Sequence, residues 1–157
     1  MKIVGLDADS KKIAIVCFNN NQLLYHELLI SHSKDAKQRL YDLIMLFERQ
    51  IKAIKPQIVY IEEAIFIQNF KTSRAIAEVI GNIKVVLSKY KIDYETVPVN
   101  SWKKAIIGKG NASKDEVREF ILNKYPDLEG CEQDIFDATA ICLFGVENEY
   151  RKKVSNS

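Results

Sequence analysis

The spacing of apolar residues divides the chain into two regimes. Near the N-terminus the apolar runs are short: Lys2-Ile-Val-Gly-Leu-Asp7 and Ile13-Ala-Ile-Val-Cys-Phe18 read as strands, with Asn19-Asn20-Asn21 as a polar turn. Leu23 to Ile30 makes a third strand, so this part predicts an antiparallel meander. The period then changes. Leu40, Leu43, Ile44, Phe47, Ile51 and Ile54 recur at spacings of three and four, which marks an amphipathic helix from about residue 35, closed by Pro56. After Lys55-Pro56-Gln57 comes Val59-Tyr60-Ile61, a buried-strand pattern that stops at Glu62 and Glu63.

A second long helix is predicted from about Lys71 to Tyr90, with Ala75, Ile76, Val79, Ile80, Ile83, Leu87 and Tyr90 on one side. Gly81 weakens it unless a close contact needs bare backbone there. Asp93 to Val97 is a fifth strand, ended by Pro98, and Ser101–Ile107 a short helix broken by Gly108-Lys-Gly110. Ser113-Lys-Asp-Glu116 fits a capping box, in which serine and glutamate both satisfy end amides of a helix that stops before Pro126. The last helix runs from about Gln133 to Tyr150, followed by a polar tail over 151–157. Strands and helices thus alternate in an α/β order. A right-handed crossover through the 35–54 helix lays the fourth strand parallel to the first and beside it, bringing Asp7 and Glu62 to neighbouring strand ends.

A length of 157 residues implies one domain, over 1–150, large enough to bury a core without disulfides. No segment has the apolar length to span a bilayer, and the N-terminus lacks the features of a signal peptide. The three cysteines, Cys17, Cys131 and Cys142, are odd in number and lack metal-ligand spacing, which points to reduced thiols and a cytoplasmic location. A net charge of +2 does not by itself announce a polyanionic partner, but the basic residues gather at 71–74, 84–91, 103–118 and 151–153.

The acids carry the chemistry. Glu62 closes an apolar strand, where a carboxylate is costly to desolvate unless a cation meets it. Asp134 and Asp137 are three apart and share a helix face, although compensation of a helix N-terminus accounts for that pair taken alone. Asp7 alone fits a turn acid equally well. As a set the four would repel one another, and burial would raise some of their pKa values. Two Mg²⁺ ions resolve this, since hard divalent cations prefer oxygen ligands. Two such ions about 3.5–4 Å apart would activate a water and stabilise the leaving oxygen in phosphodiester hydrolysis. Only His26 and His32 are present, neither close in sequence to a plausible nucleophile, and there is no P-loop or glycine-rich dinucleotide turn.

Four stretches, taken in order, resemble the RuvC family of Holliday junction resolvases, within the RNase H-like (retroviral integrase) superfamily. They are Ile3-Val-Gly-Leu-Asp7-Ala-Asp-Ser10; Ile61-Glu62-Glu63 with Asn69 following; Trp102-Lys103-Lys104-Ala-Ile-Ile-Gly108-Lys-Gly110-Asn-Ala-Ser-Lys114; and Asp134-Ile-Phe-Asp137-Ala138. The resemblance implies an RNase H-like five-stranded mixed sheet flanked by helices, a homodimer built in part on the 71–90 helix, and Mg²⁺-dependent resolution of four-way DNA junctions by paired symmetrical nicks. Mn²⁺ would substitute for Mg²⁺. Asp7, Glu62, Asp134 and Asp137 match the catalytic, metal-holding acids, and Lys103 and Lys114 the basic positions near the scissile DNA. Lys104, Lys109 and Arg118 are candidates for weaker, salt-sensitive backbone contacts, and Asn69 for a further DNA contact.

The chain departs from the family pattern in two places. Asp7-Ala8-Asp9 replaces Asp-Pro-Gly, so Asp9 is either an accessory acid or a turn residue. Ile65 stands where the family tends to carry an aromatic, leaving Phe66 or Phe70 to stack on opened bases or to join a dimer core. The lysine- and asparagine-rich composition fits either a phage-encoded member, acting in a host cytoplasm, or an AT-rich genome. A nuclease of broader taste, cutting flaps or forks, is a rival reading, as is a non-catalytic branched-DNA binding module, although four retained acids argue against the latter.

Overall fold

The computed structural model describes residues 1–63 and 69–157. The strands β1 (Lys2–Ala8), β2 (Lys12–Asn19), β3 (Gln22–Ile30), β4 (Ile58–Glu62) and β5 (Asp93–Val97) form one sheet in the order β3-β2-β1-β4-β5. β1, β2 and β3 pair antiparallel, and β4 and β5 add in parallel on the other side of β1. The expected mixed sheet is therefore present, with β1 at its centre. Asp9 closes the β1–β2 turn: its Oδ1 accepts the backbone N–H groups of Lys11 at 2.7 Å and Lys12 at 2.8 Å. It thus serves as a turn residue, and its charge also acts on Asp7 and Lys12 nearby.

Helices cover both faces. α1 (Ala36–Ile54) and α2 (Phe70–Lys89) pack Leu43, Phe47, Ile83 and Leu87 onto Val4, Leu6, Val59 and Ile61. On the other face, α3 (Val99–Trp102), α4 (Lys114–Lys124) and α5 (Gln133–Ser155) pack Trp102, Val117, Ala138 and Ile141 onto Ile3, Ile58 and Tyr60. Side chains alternate along a strand, so Ile3, Gly5 and Asp7 share one face, as do Ile58, Tyr60 and Glu62. The alternation that buries Ile3 and Tyr60 beneath α5 therefore also aims Asp7 and Glu62 at the α5 layer. Glu63, the next residue, is exposed.

Two glycines let α5 lie directly on the sheet. A Cβ on Gly5 would stand 2.5 Å from both the Ala138 carbonyl oxygen and the Cys142 backbone nitrogen. A Cβ on Gly145 would stand 2.5 Å from the Tyr60 ring. Beyond that ring, the Tyr60 hydroxyl donates to Glu149 at 2.6 Å and accepts from Asn148 at 2.8 Å. The helix is thus held along its length, which sets its first turn beside the ends of β1 and β4.

Four local expectations change. α5 continues to Ser155, so most of the 151–157 tail is helical. Lys152 reaches Glu149 at 2.9 Å and also Glu95, and lysines in a last turn complement the helix dipole. The 101–107 helix begins earlier, at Val99, and widens into a π-turn over Lys103–Ile107. Ser113 caps α4 through the Glu116 N–H at 3.1 Å, but the Glu116 carboxylate turns to Lys109 at 2.9 Å, so the capping box is one-sided. A Cβ on Gly81 would meet no neighbour within 4 Å among the described residues.

Cys17 and Cys142 are buried and Cys131 half-buried, all unpaired. Among the described residues no helix is long and apolar enough to cross a membrane.

Gly5→Ala forces either α5 or β1 to move, because its nearest neighbours are two backbone atoms and the Cys142 Cβ, none of which a rotamer change can shift. Overpacking of this kind costs about 1–3 kcal/mol. Urea denaturation should register that loss, with a larger deficit in any activity of the site below.

Candidate active site

Asp7 and Glu62 come together through sheet register. β1 and β4 pair in parallel up to Leu6 and Ile61, so the next step along each strand brings the two acids side by side. Asp134 and Asp137 lie in the first turns of α5, whose N-terminus favours negative charge. All four expected acids meet at this end of the sheet and act on one another electrostatically. Burial raises the Asp7 carboxyl well above the usual range, and the fields of Glu62, Asp137, Asp134 and Asp9 add to it. Glu62 is pushed up to about 7, chiefly by burial and further by Asp137 and Asp134, against an indole hydrogen bond and the charge of Lys103. Asp137 is raised mainly by burial, opposed by a hydrogen bond from Gln133 and the charges of Lys103 and Lys114.

Three of the acids have a partner of their own. The Trp102 Nε1–H donates to Glu62 Oε2 at 2.9 Å, Gln133 Nε2 to Asp137 Oδ1 at 3.1 Å, and Lys12 Nζ to Asp134 Oδ2 at 2.8 Å. Each of these bonds draws its acid to a separate partner, and among the described residues no three His, Cys, Asp or Glu side chains close on a common point. An all-oxygen donor set, partly buried and carrying like charge that among the described residues is directly ion-paired only at Asp134, is chemically suited to hard divalent cations.

The basic residues divide into two groups. Lys103 acts on both Glu62 and Asp137, and Lys114 on Asp137, so these two flank the acids. Lys103 starts the π-turn, with its Nζ 5.7 Å from the centre of the Trp102 ring. Lys104 is exposed on the same turn. Lys109 is paired with Glu116 at 2.9 Å and Arg118 with Glu129 at 3.5 Å, both pairs at the surface. Asn69 caps α2 by accepting the Thr72 N–H at 3.3 Å. Phe70 is 60% exposed, and the Arg74 guanidinium lies 4.8 Å over its ring. Ile65 and Phe66 lie outside the described residues.

Sequence reasoning missed Trp102, Gln133 and Lys12 as partners of the acids. Trp102 had a detectable signal, since a buried indole ordinarily finds an acceptor and this is the sole tryptophan of the chain. Lys12 had none, standing 122 residues from the acid it binds.

Comparison with known proteins adds three findings. Residues 3–144 match the family described as crossover junction endodeoxyribonuclease RuvC. A protein of that name from Caldanaerobacter subterraneus subsp. tengcongensis is 30% identical over 155 residues, covering 91% of this chain and 90% of the relative. The structure of Thermus thermophilus RuvC superposes with a TM-score of 0.80 at 20% identity, covering 98% of this chain and 96% of the other. RuvC of the same organism in complex with a Holliday junction substrate superposes with a TM-score of 0.75 at 20% identity, covering 91% of each chain.

The raised Glu62 carboxyl has a consequence for stability. Its ordinary pKa is 4.5, and the folded chain holds the proton more tightly, up to about 7. Its contribution to stability is therefore complete below pH 4.5 and lost as the pH rises through about 7. In EDTA, Glu62→Gln should gain on the wild type across that window, reaching a Tm advantage of about 5 °C above pH 8. Mg²⁺ should narrow the gap. Thermal melts from pH 4 to 9 check this, and a gap independent of pH would contradict it.

Proposed function

The chain belongs to the RuvC family of crossover junction endodeoxyribonucleases, and on that premise we propose that it resolves four-way DNA junctions by paired, symmetrical nicks. The observation that carries the reading is the clustering of Asp7, Glu62, Asp134 and Asp137 at one end of the sheet, near enough to act on one another and to feel Lys103 and Lys114. Divalent-metal dependence is general in the family. Asp7, Glu62, Asp134 and Asp137 would hold two Mg²⁺ ions, which supply a nucleophilic water at neutral pH and neutralise charge on the leaving oxygen. Trp102 keeps the Glu62 carboxylate oriented through a neutral donor, so its negative charge stays available. Lys103 and Lys114 offer compact ammonium groups to the phosphate oxygens as negative charge develops there. Lys104, Lys109 and Arg118 extend the basic surface along the DNA backbone. Phe70, exposed where α2 begins, offers a face for stacking on an opened base.

The partner is branched DNA, and the working unit is a homodimer through α2. Phe70, Ala77, Gly81 and Val85 are all exposed and recur along one side of this helix, opposite the buried Ile80, Ile83 and Leu87. Among the described residues nothing packs against the bare backbone at Gly81, whereas a second copy would.

Cleavage of a fixed four-way junction in Mg²⁺, with nicks mapped on every strand, tests the activity. Two symmetrical nicks are expected, and linear duplex cut at the same rate would overturn junction selectivity. Asp7→Asn should abolish cleavage while leaving junction binding within about threefold. Lys103→Ala and Lys114→Ala should lower the single-turnover rate by about 10²-fold or more, the scale of a lost transition-state contact, with a smaller loss of affinity.

Sedimentation tests the assembly. The wild type should run at twice the chain mass of 18.0 kDa, and Val85→Arg should shift it to the monomer.

A further inference from the structure

Among the described residues, the four acids make a single ion pair, between Lys12 and Asp134, with Nζ 2.8 Å from Oδ2. Glu62 and Asp137 have neutral donors instead, Trp102 and Gln133. Lys12 opens β2, where its backbone N–H is bonded to Asp9 at 2.8 Å and its carbonyl accepts the Asp9 N–H at 2.9 Å. The hairpin thus fixes its Cα, and the flexible four-carbon stem carries the ammonium across to α5. Asp134 is in direct contact with it, and Asp9 and Asp7 face it at longer range. The side chain is 37% exposed, so the ammonium has a path into solvent without disturbing the core.

A carboxylate oxygen in contact with an ammonium is a poor ligand for a second cation, because the two positive charges repel at that separation. We propose that Lys12 is a built-in counter-cation for Asp134 that divalent-ion loading must displace. It therefore raises the metal concentration at which the site fills, and it steadies the acid cluster while the chain is metal-free. This rests on the reading of Asp134 as a metal ligand. The scale is that of one partly exposed ion pair, about fivefold in metal affinity. Lys12 is a positioning residue in this account, acting on the reaction through Asp134.

The experiment is calorimetric titration of Mn²⁺ into the full chain without DNA, together with thermal melts in EDTA, for the wild type and for Lys12→Met, Lys12→Arg and Asp7→Asn. Lys12→Met should bind Mn²⁺ about fivefold tighter than the wild type and melt at a lower temperature in EDTA, a deficit that saturating Mn²⁺ removes. Lys12→Arg, which keeps the charge, should stay within about twofold of the wild type. Unchanged or weaker Mn²⁺ binding by Lys12→Met, with Asp7→Asn weakening it as expected, overturns the role of Lys12 alone. Mn²⁺ binding unaffected by Asp7→Asn overturns the metal-site reading beneath it. Should Lys12→Met fail to fold, a crystal structure of the wild type with Ca²⁺ decides: Lys12 withdrawn from Asp134 supports the proposal, and a retained contact beside a bound ion overturns it.

Discussion

The approach of α5 to β1 at Gly5 is the contact on which the site depends. A Cβ on Gly5 would run into the Ala138 carbonyl oxygen and the Cys142 nitrogen and Cβ, so only bare backbone fits against that turn. Any larger residue would lift the helix and carry Asp134 and Asp137 away from Asp7. At the far end, Gly145 lies against the Tyr60 ring, whose hydroxyl is tied to Glu149 and Asn148. Between these supports the helix has little freedom to roll. Its first turn is therefore held against two strand ends, and acids distant in sequence become neighbours.

That rigidity holds together groups that repel. Asp7, Glu62 and Asp137 are all raised, with burial the largest cause in each. The acids work against stability at neutral pH, and the apolar packing on both sheet faces offsets them. The choice of partners keeps the negative field strong. An indole and an amide orient two of the carboxylates without cancelling their charge. Lys103 and Lys114 act from farther off, where they moderate the acids without hydrogen-bonding to them. The result is a negative centre with a basic rim, suited to cations within and phosphate around them.

The outer basic residues follow a different logic. Lys109 and Arg118 are engaged with Glu116 and Glu129 at the surface, where such pairs contribute little to stability. A phosphate oxygen can replace the carboxylate at small cost, so the pairs do not withdraw these residues from DNA. Asn69 is different, because its Oδ1 already caps α2, which leaves its Nδ2 amide as the group that can donate toward DNA.

Strand and helix positions were legible in the sequence because local periodicity records which face is buried. Asp93–Val97 was read to the residue, and the Asp7–Glu62 neighbourhood followed from the crossover rule. The acids themselves were found from strand ends and from helix spacing, together with resemblance to a family pattern. Helix ends were less legible: α5 runs past Tyr150 because ion pairs and the helix dipole support residues that polarity alone marks as a tail. The tertiary structure alone decided what each acid touches. Lys12 meets Asp134, and Trp102 meets Glu62, across separations of 122 and 40 residues. No local pattern encodes such contacts, since they arise only when α5 settles on Gly5 and the sheet brings the strand ends beneath it.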